Sequence, residues 1–369
     1  VPVDLPAMGW TLLEVGVVEG ARKPRVKSHV LAPARGRIKN GFYEVGVKKG
    51  RAAIDILRQG KSVVGKGFKV VVVEDVEGSW GNMREAPGSQ FLSKILETWK
   101  VQDFATLEKG PERASLWVRL AGERSQLDLT FQLYRNRDAV DVAARLFWNE
   151  RYARLKLVMP AGDQAEFDVP GGRVKRGPAG EVPGGRWVRV TGDRGAFGFA
   201  SNALYGFDCA KGALRASVVR STGYVKQVDA ATRDLAWRPL ADRGQLRFQF
   251  LVSPGNGDLP RLARELEQPA LVQTVLPSPG ELPRAGSCLE LKPSHLQLLS
   301  LKPAQDGKGL ILRVQEIRGR RTAARITWFG HTLDLGEVGA RKIATWRLTQ
   351  ARQEWRARPV NALEIDVGQ

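Results

Sequence analysis

The stretch SNALYGFDCAKGALRASVVRS, residues 201–221, combines a turn with side chains that can bond or stack on a ligand. A Tyr-Gly-Phe-Asp turn at 205–208 precedes an alternating run that ends in Arg220. Gly and Asp favour turns, and loops between rigid strands commonly carry binding groups. The stretch is therefore consistent with an active-site loop, a ligand-contacting loop, or a hairpin that only holds a sheet together.

Metal and nucleophilic chemistry find no support in the spacing of the other reactive residues. His29, His295 and His331 are far apart, and none has the short spacing to a second ligand that a zinc site uses. No Gly-x-Ser-x-Gly elbow is present, and the 39 Asp and Glu residues include no marked pair. The Gly-Lys-Gly at 65–67 lies between two strands and predicts a hairpin turn rather than a phosphate loop. We therefore expect no catalytic residue and no metal ligand in this chain.

Charge is the unusual feature of the composition. The chain has 58 Lys and Arg against 39 Asp and Glu, a formal net charge of +19. Residues 22–39 contain seven basic side chains and no acidic one, and RGRR at 318–321 is a second basic segment. Three interpretations stay open: a solvated arginine-rich surface, a site for a polyanion, or a basic face that meets an acidic partner domain.

Most of the sequence has the alternating apolar and polar pattern of β-strands, so strands must position the groups described above. Alternating segments such as SQLDLTFQLY and GQLRFQFLV recur every ~8 to 12 residues, a spacing typical of sandwiches and barrels. No strand–helix alternation is present, so a parallel sheet is not expected. One helix is predicted at 258–270, capped by Asp258 and with Pro260 in its first turn. The segment 90–99 is ambiguous between helix and strand, and the proline-rich segment 276–287 predicts a boundary.

Length and the remaining composition set outer bounds on the protein. A chain of 369 residues can form one large domain or two smaller ones. No apolar run approaches the ~20 residues of a membrane span, so no membrane partner is expected. Cys209 and Cys288 could form one disulfide or remain two free thiols, and the compartment stays open. The chain begins at Val1 rather than Met, which indicates a processed protein or an excised piece.

Five segments, in order, resemble the C-terminal region of glycoside hydrolase family 38, the retaining α-mannosidases. Together they span roughly residues 36–350. They are GFYEVGVKKGRAAIDILRQGKSVV, LYRNRDAVDVAARLFWNERYARLKLVMP, PGGRWVRVTGDRGAFGFASNALYGFD, GALRASVVRS and LQLLSLKPAQDGKGLILRVQE. The positions that carry the resemblance include Asn40, Tyr134, Trp148, Glu150, Lys156, Trp187, Asn202, Tyr205, Asp208 and Arg313. Ala203 and Leu204 stand where the family has Asp and Lys.

The resemblance implies an all-β fold, with a large antiparallel supersandwich like that of galactose mutarotase followed by a smaller β-sandwich. We expect a leading strand and basic linker at 1–36, the supersandwich at 37–270 and the smaller sandwich at 271–369. In the family, zinc and the nucleophilic Asp belong to an N-terminal barrel, so the resemblance predicts no cofactor in this chain, zinc in the missing catalytic domain, and no activity of this chain alone.

The implied function is to brace that barrel, the N-terminal catalytic domain of the same polypeptide, and to wall its mannoside cleft. Aromatic rings stack on sugars, and Asn, Asp and Arg bond hydroxyl groups. On these grounds the resemblance assigns substrate contact to Trp80, Arg186, Asn202, Tyr205 and Asp208. The alternative is a stand-alone module that binds a carbohydrate or, given the net charge, a polyanion. Nucleic acid is not the expected partner.

Overall fold

The computed structural model describes residues 3–16, 31–75, 92, 94–160, 162–170, 172–192, 195–223, 240–276, 278–352 and 354–367. In this part of the chain we find strands throughout and a single helix, α1 (Leu259–Glu267). No described helix has the length and apolar character needed to cross a membrane.

The strands fall into two runs along the chain. The first run consists of β1 (Gly9–Thr11), β2 (Leu31–Ala34), β3 (Arg37–Lys39), β4 (Tyr43–Gly46), β5 (Asp55–Arg58), β6 (Lys61–Ser62), β7 (Lys69–Glu74), β8 (Ile95–Thr98), β9 (Lys100–Lys109), β10 (Arg113–Ala121), β11 (Gln126–Tyr134), β12 (Val140–Trp148), β13 (Ala153–Pro160) and β14 (Gln164–Val169). The second run consists of β15 (Gly172–Arg176), β16 (Ala179–Pro183), β17 (Trp187–Gly192), β18 (Gly195–Ser201), β19 (Gly206–Ala210), β20 (Ala213–Ser221), β21 (Gly244–Pro254), β22 (Ala285–Ser287), β23 (Leu289–Lys292), β24 (Leu296–Pro303), β25 (Leu310–Glu316), β26 (Thr322–Trp328), β27 (His331–Val338), β28 (Ile343–Ala351) and β29 (Glu354–Val360).

The larger of two compact units comprises Pro24–Val169 and Val174–Val272. Its nine-stranded sheet has the order β15-β14-β17-β18-β21-β12-β11-β10-β9, and its six-stranded sheet the order β16-β19-β20-β13-β7-β8. A five-stranded sheet, β2 to β6 in chain order, completes the unit. Every strand pairing resolved within these sheets is antiparallel.

One hydrophobic core joins the three sheets of this unit. In β11, Leu127, Leu129 and Phe131 are buried in it, whereas Asp128 and Thr130 point to the opposite face. Side chains of β4 and β7 enter the same core from the other two sheets. Burial of alternate apolar residues is what fixes strand register, because a shift by one residue would expose the whole set. We use "outer face" for the side of a sheet opposite this core.

The predicted helix is confirmed, with one correction at its start. Leu259 is buried and Leu262 partly buried against the outer face of the nine-stranded sheet, where Trp187 and Leu251 contact them. Pro260 lies in the first turn, as expected. Asp258 makes no side-chain capping hydrogen bond, so that expectation is wrong. The carbonyl of Asp258 instead accepts a bond from the Leu262 N–H.

The smaller unit comprises Gln273–Gln369 together with Val1–Lys23 and Pro170–Arg173. A three-stranded sheet (β23-β26-β27) and a four-stranded sheet (β24-β25-β28-β29) share one core of buried residues. The indole N–H of Trp346 on β28 donates to the carbonyl of Leu335 on β27 and so ties the two sheets together. The strand β1 pairs with β22, with Gly9 opposite Ser287.

The fold class predicted from the sequence is confirmed: the protein is all-β, with large antiparallel sheets followed by a smaller sandwich. Within the ambiguous segment 90–99, residues 95–98 form β8. The three predicted domain ranges stay predictions. Both cysteines are free, and Cys209 is buried.

Candidate functional site

The segment 202–205 crosses from β18 in the nine-stranded sheet to β19 in the six-stranded sheet. Since β18 pairs with β17 and β21, and β19 pairs with β16 and β20, the interpretation of the stretch 201–221 as a hairpin is right only for its second part. The strands β19 and β20 form an antiparallel hairpin around Lys211 and Gly212, whereas residues 202–205 connect two sheets. Leu204, at 2% exposure, belongs to the core that the two sheets share. Burial of this apolar side chain between the sheets explains why the chain crosses over instead of turning back.

Asn202 is held at the beginning of this crossover by two bonds to one residue. Its Oδ1 accepts from the Gln249 N–H at 2.9 Å, and its own N–H donates to the Gln249 carbonyl at 3.2 Å. These bonds use the carbonyl half of the Asn202 side chain and leave its NH₂ group as a donor. The side chain lines a groove of about 590 Å³ on the outer face of the nine-stranded sheet.

We call this feature the polar groove. Its lining includes Trp117, Asp128, Arg145, Asn202, Arg247 and Gln249. These residues come from β10, β11, β12, β21 and the crossover, so their positions are fixed by one continuous sheet. Its volume lies within the ~300–1,000 Å³ range of small-molecule sites.

Two aromatic residues line the polar groove, the buried Phe248 and the partly exposed Trp117. The guanidinium of Arg119 lies 5.1 Å from the centre of the Trp117 ring, a cation–π contact. Arg119 also bonds both carboxylate oxygens of Asp128, through Nε at 2.7 Å and Nη2 at 2.9 Å. The hydrogen bond to Asp128 raises the pKa of Arg119, so this guanidinium stays charged.

Tyr205 ends the crossover with its side chain 50% exposed. Its carbonyl accepts a bond from the Gly184 N–H at 2.8 Å, which holds the backbone while the ring faces solvent. An exposed ring on a fixed backbone is suited to stacking against a ligand or a partner surface.

Arg186 lies between two carboxylates of the same unit. Its Nε donates to Asp168 at 3.2 Å, and its Nη1 donates to Glu267 at the end of α1 at 3.1 Å. Although burial opposes the charge, the two acids raise the pKa of Arg186 above its usual value. These bonds fasten the helix to β14, so the geometry assigns Arg186 a bracing role in addition to any contact with a ligand.

Asp208 lies on the outer face of the six-stranded sheet and is fully buried. Its carboxylate accepts from Lys156 Nζ and, at 2.7 Å, from Arg215 Nη1. Burial raises the pKa of Asp208, because desolvation outweighs the attraction of the Lys156 charge. Two charge-assisted bonds nevertheless favour the ionised carboxylate that the geometry requires.

The bonds of Asp208 belong to a wider set that we call the charge network. Lys156 also bonds Glu181, and Arg154 bridges Glu181 and Asp75, with a 2.7 Å distance to each. Arg220 closes the network on Asp75 at 2.9 Å. For Glu181, desolvation is outweighed by the charges of Lys156 and Arg154, which lower its pKa. The network joins strands β13, β16, β19 and β20 with the end of β7, and its bonds are internal to the sheet.

The remaining sequence predictions meet the structure only in part. Trp80 lies outside the described residues. Of the basic stretch 22–39, Arg37 bonds Glu44 at 2.5 Å and Arg35 lies 5.7 Å from the Phe104 ring centre. Within the described ranges, no three His, Cys, Asp or Glu side chains are grouped to hold a metal ion. Among the predicted residues that the structure describes, Asn202 therefore lines a groove on the nine-stranded sheet, whereas Asp208 belongs to a network on the six-stranded sheet.

Sequence reasoning identified only Asn202 among the residues of the polar groove, and the residues that it missed include Trp117, Arg145 and Arg247. The signal for them was the period of two along β10, β12 and β21, which puts these side chains on the face opposite the core residues. Which strands would lie side by side was not readable from that period.

Comparison with known proteins places most of this fold in one family. The sequence model for the glycosyl hydrolases family 38 C-terminal domain matches residues 38–229. An α-mannosidase from Enterococcus faecalis V583 superposes with a TM-score of 0.69 at 13% identity, covering 87% of this chain and 43% of that protein. A family 38 glycosyl hydrolase from Enterococcus faecalis gives 0.69 at 14% identity, covering 89% and 45%. No curated protein sequence matches the chain.

Proposed function

Because this chain belongs to the C-terminal domain family of the family 38 glycosyl hydrolases, we propose that it is the non-catalytic β region of an α-mannosidase-like enzyme. In this proposal it braces a separate catalytic barrel and contributes part of the wall of a mannoside cleft. The observation that carries the proposal is the share of each protein's length that the common fold covers. The fold covers 87–89% of this chain but less than half of either Enterococcus protein.

Hydrolysis by a retaining glycosidase uses a carboxylate nucleophile at the anomeric carbon, and zinc in the barrel would hold sugar hydroxyls. The described residues of this chain do not fit a zinc site, because they hold no suitable ligand group. We therefore assign zinc to the barrel and derive no step of the reaction through it here.

The bracing role is supported by the charge network and by Arg186. Lys156 and Asp208 are completely buried, and their bonds connect strands that are far apart in sequence. Buried ion pairs with satisfied partners hold one geometry, because breaking any of them leaves an uncompensated charge. A sheet fixed in this way is a suitable platform for a second domain.

The contribution to a cleft wall rests on Asn202 and Tyr205. Arg186 and Asp208 use their charged groups on internal carboxylates and cations. Asn202 keeps an amide NH₂ group, and Tyr205 keeps an exposed ring. These two residues are the predicted substrate contacts that have groups available to a sugar.

The proposal is tested by three preparations: this chain, the polypeptide encoded upstream of it, and the two together. Each is assayed on an aryl α-mannoside with added zinc, and complex formation is followed by size-exclusion chromatography. We expect no turnover by this chain, a complex between the two parts, and turnover when both are present. Turnover by this chain alone, or the absence of a complex, would overturn the bracing role.

The cleft-wall role is tested separately in the active assembly. Tyr205→Ala and Asn202→Ala are expected to raise KM several-fold with a smaller effect on kcat, because binding contacts shared by ground and transition states act on KM. Arg124→Gln, an exposed change between β10 and β11, is the matched control. Unchanged KM in both variants would remove the cleft wall from the proposal and leave the bracing role standing.

A further inference from the structure

Two basic turns of the smaller unit meet at one buried carboxylate. The first is the RGRR segment at 318–321, and the second is GARK at 339–342, between β27 and β28. Oε2 of Glu316, a fully buried residue, accepts bonds from the N–H of Arg320 at 2.9 Å and of Arg341 at 2.8 Å. Because one oxygen atom binds a group from each turn, the turns lie side by side. We call the two segments together the basic loops.

The side chain of Arg341 extends from the second turn to the first. A Cβ atom at Gly319 would lie 3.1 Å from its Nε and 3.6 Å from its Nη2, so the guanidinium lies against the backbone between Arg318 and Arg320. All three arginine side chains are exposed. Three guanidinium groups therefore originate from backbone positions that the Glu316 carboxylate holds together.

The positive charge of the basic loops is balanced only in part. Arg321 pairs with Glu337 at 2.8 Å. Four cations make no ion pair within the ranges that the structure describes: Arg318, Arg320, Arg341 and Lys342. The basic loops contain no Asp or Glu, and the buried Glu316 carboxylate is bonded to backbone N–H groups. Because like charges held close together repel, the basic loops favour an added anion.

The residue types of the basic loops indicate which anion fits. A protein surface that binds membranes adds apolar side chains to basic ones, and single-stranded nucleic acid stacks on aromatic rings. The basic loops contain neither, since Gly and Ala are their only uncharged residues. A DNA duplex is read by a helix or ribbon that enters its groove, whereas these segments are short turns. Guanidinium groups bind tetrahedral oxyanions in a bidentate manner and need no further contact.

We propose that the basic loops bind a sulfated polysaccharide. Its sulfate groups bond the guanidinium groups of Arg318, Arg320 and Arg341, and Lys342 adds a fourth positive charge. Four cations on two adjoining turns require closely spaced anionic groups, which a sulfated polysaccharide carries along one chain. This surface goes beyond the bracing role and does not depend on it, because it needs only residues of the smaller unit.

The test is isothermal titration of this chain with a heparin oligosaccharide at about 50 mM salt. A hyaluronate oligosaccharide of equal length, a DNA duplex and anionic phosphatidylserine vesicles are the comparison probes. We expect heparin to bind at least about tenfold more tightly than hyaluronate, whose charges are more widely spaced, and to bind more tightly than the duplex or the vesicles.

The double variant Arg318→Gln/Arg320→Gln should weaken heparin binding about tenfold or more. It should stay folded, because the backbone N–H groups that Glu316 binds are retained. The matched control is Arg325→Gln/Arg356→Gln, which removes two exposed arginines of the same unit that pair with Asp334 and Glu354. Its heparin affinity should stay within about twofold of the unchanged chain.

Several results would overturn the inference. An equal loss of affinity in the two double variants would reduce the binding to non-specific attraction by a basic protein. Equal affinity for hyaluronate would remove the role of sulfate, and tighter binding of the duplex or the vesicles would assign the basic loops to another class of partner. Complex formation with the upstream polypeptide, measured in Arg318→Gln/Arg320→Gln, keeps these outcomes separate from that of the bracing role. Loss of that complex with unchanged heparin binding would assign the basic loops to the partner domain instead.

Discussion

The ammonium group of Lys156 donates to the carboxylate of Asp208, and neither side chain is exposed to solvent. Lys156 lies on β13 and Asp208 on β19, and β20 separates the two strands. A fully buried lysine is rare and depends on its partners, since an unpaired charge in the interior is costly. The pair therefore acts as a lock on the six-stranded sheet, by which we mean that it fixes the positions of β13 and β19 relative to each other.

Asp208→Asn is predicted to destabilise the protein by about 3–5 kcal/mol, because it leaves Lys156 buried with one carboxylate fewer. Urea unfolding followed by intrinsic tryptophan fluorescence measures the loss. The surface pair of Arg261 with Glu265 is the control, and Arg261→Ala should cost less than about 1 kcal/mol because that arginine is exposed. Equal effects of the two variants would contradict the assignment of Asp208 as a lock.

A second buried carboxylate organises the basic RGRR segment of the smaller unit. Glu316 is fully buried and accepts four backbone N–H bonds, from Arg318 at 2.6 Å, Gly319 at 2.7 Å, Arg320 at 2.9 Å and Arg341 at 2.8 Å. Burial alone would raise the pKa of Glu316, but these four bonds outweigh that effect and lower the pKa below its usual value. The buried carboxylate therefore fixes the backbone of the RGRR segment, while the side chains of Arg318, Arg320 and Arg341 are exposed.

The lowered pKa of Glu316 predicts a pH dependence of stability. A carboxyl group whose pKa is lower in the folded state stabilises the fold above its unfolded pKa of about 4.3, and the gain is lost as pH falls through the folded value. Glu316→Gln should cost about 2–4 kcal/mol at pH 7 and should flatten the fall in stability of the smaller unit below about pH 4.5. Unfolding free energies measured from pH 3 to pH 7 check both effects, and an unchanged acid profile would contradict them.

Much of the fold was predictable because strand periodicity is a local property. In β11, the alternation of Leu127, Leu129 and Phe131 with polar residues is visible in the sequence and is what the structure buries. The crossover at 202–205 was not predictable, because the same turn residues occur in hairpins and in connections between sheets. The burial of Leu204 between two sheets decides between them, and that burial depends on strands distant in sequence.

The candidate site was predictable only in its residue types. Aspartate is a residue type that is common in turns, and the sequence around Asp208 indicates only a turn. Its partner Lys156 is 52 positions away in the chain, and no local pattern reveals a pairing between residues so far apart. The same holds for Arg145 and Arg247, which become neighbours only when β12 pairs with β21. Asn40 illustrates a structural use of a family position, since its side chain bonds the Tyr134 carbonyl and the Tyr43 N–H.

Close packing of α1 on the nine-stranded sheet gives a third prediction. A Cβ atom at Gly198 on β18 would lie 2.3 Å from the Leu259 side chain and 2.6 Å from Ser253 Oγ. Gly198→Ala is expected to cost about 1–3 kcal/mol through overpacking, with earlier cleavage near α1 in limited proteolysis. Gly41→Ala, where a Cβ meets no atom within 4 Å, is the control and should change stability by less than about 0.5 kcal/mol. Equal behaviour of both variants would show that α1 does not depend on this contact.

The two cysteines should differ sharply in reactivity. Burial raises the pKa of Cys209 to about 12, and its thiol bonds the Gly162 carbonyl, whereas Cys288 is partly exposed. Because the thiolate is the reactive form, a disulfide-exchange reagent at pH 8 should modify Cys288 first and leave Cys209 unmodified until urea unfolds the chain. Cys288→Ser should abolish the fast phase and Cys209→Ser the urea-dependent one. If thiols are released only after reduction, the two residues are bridged and the free state of both is contradicted.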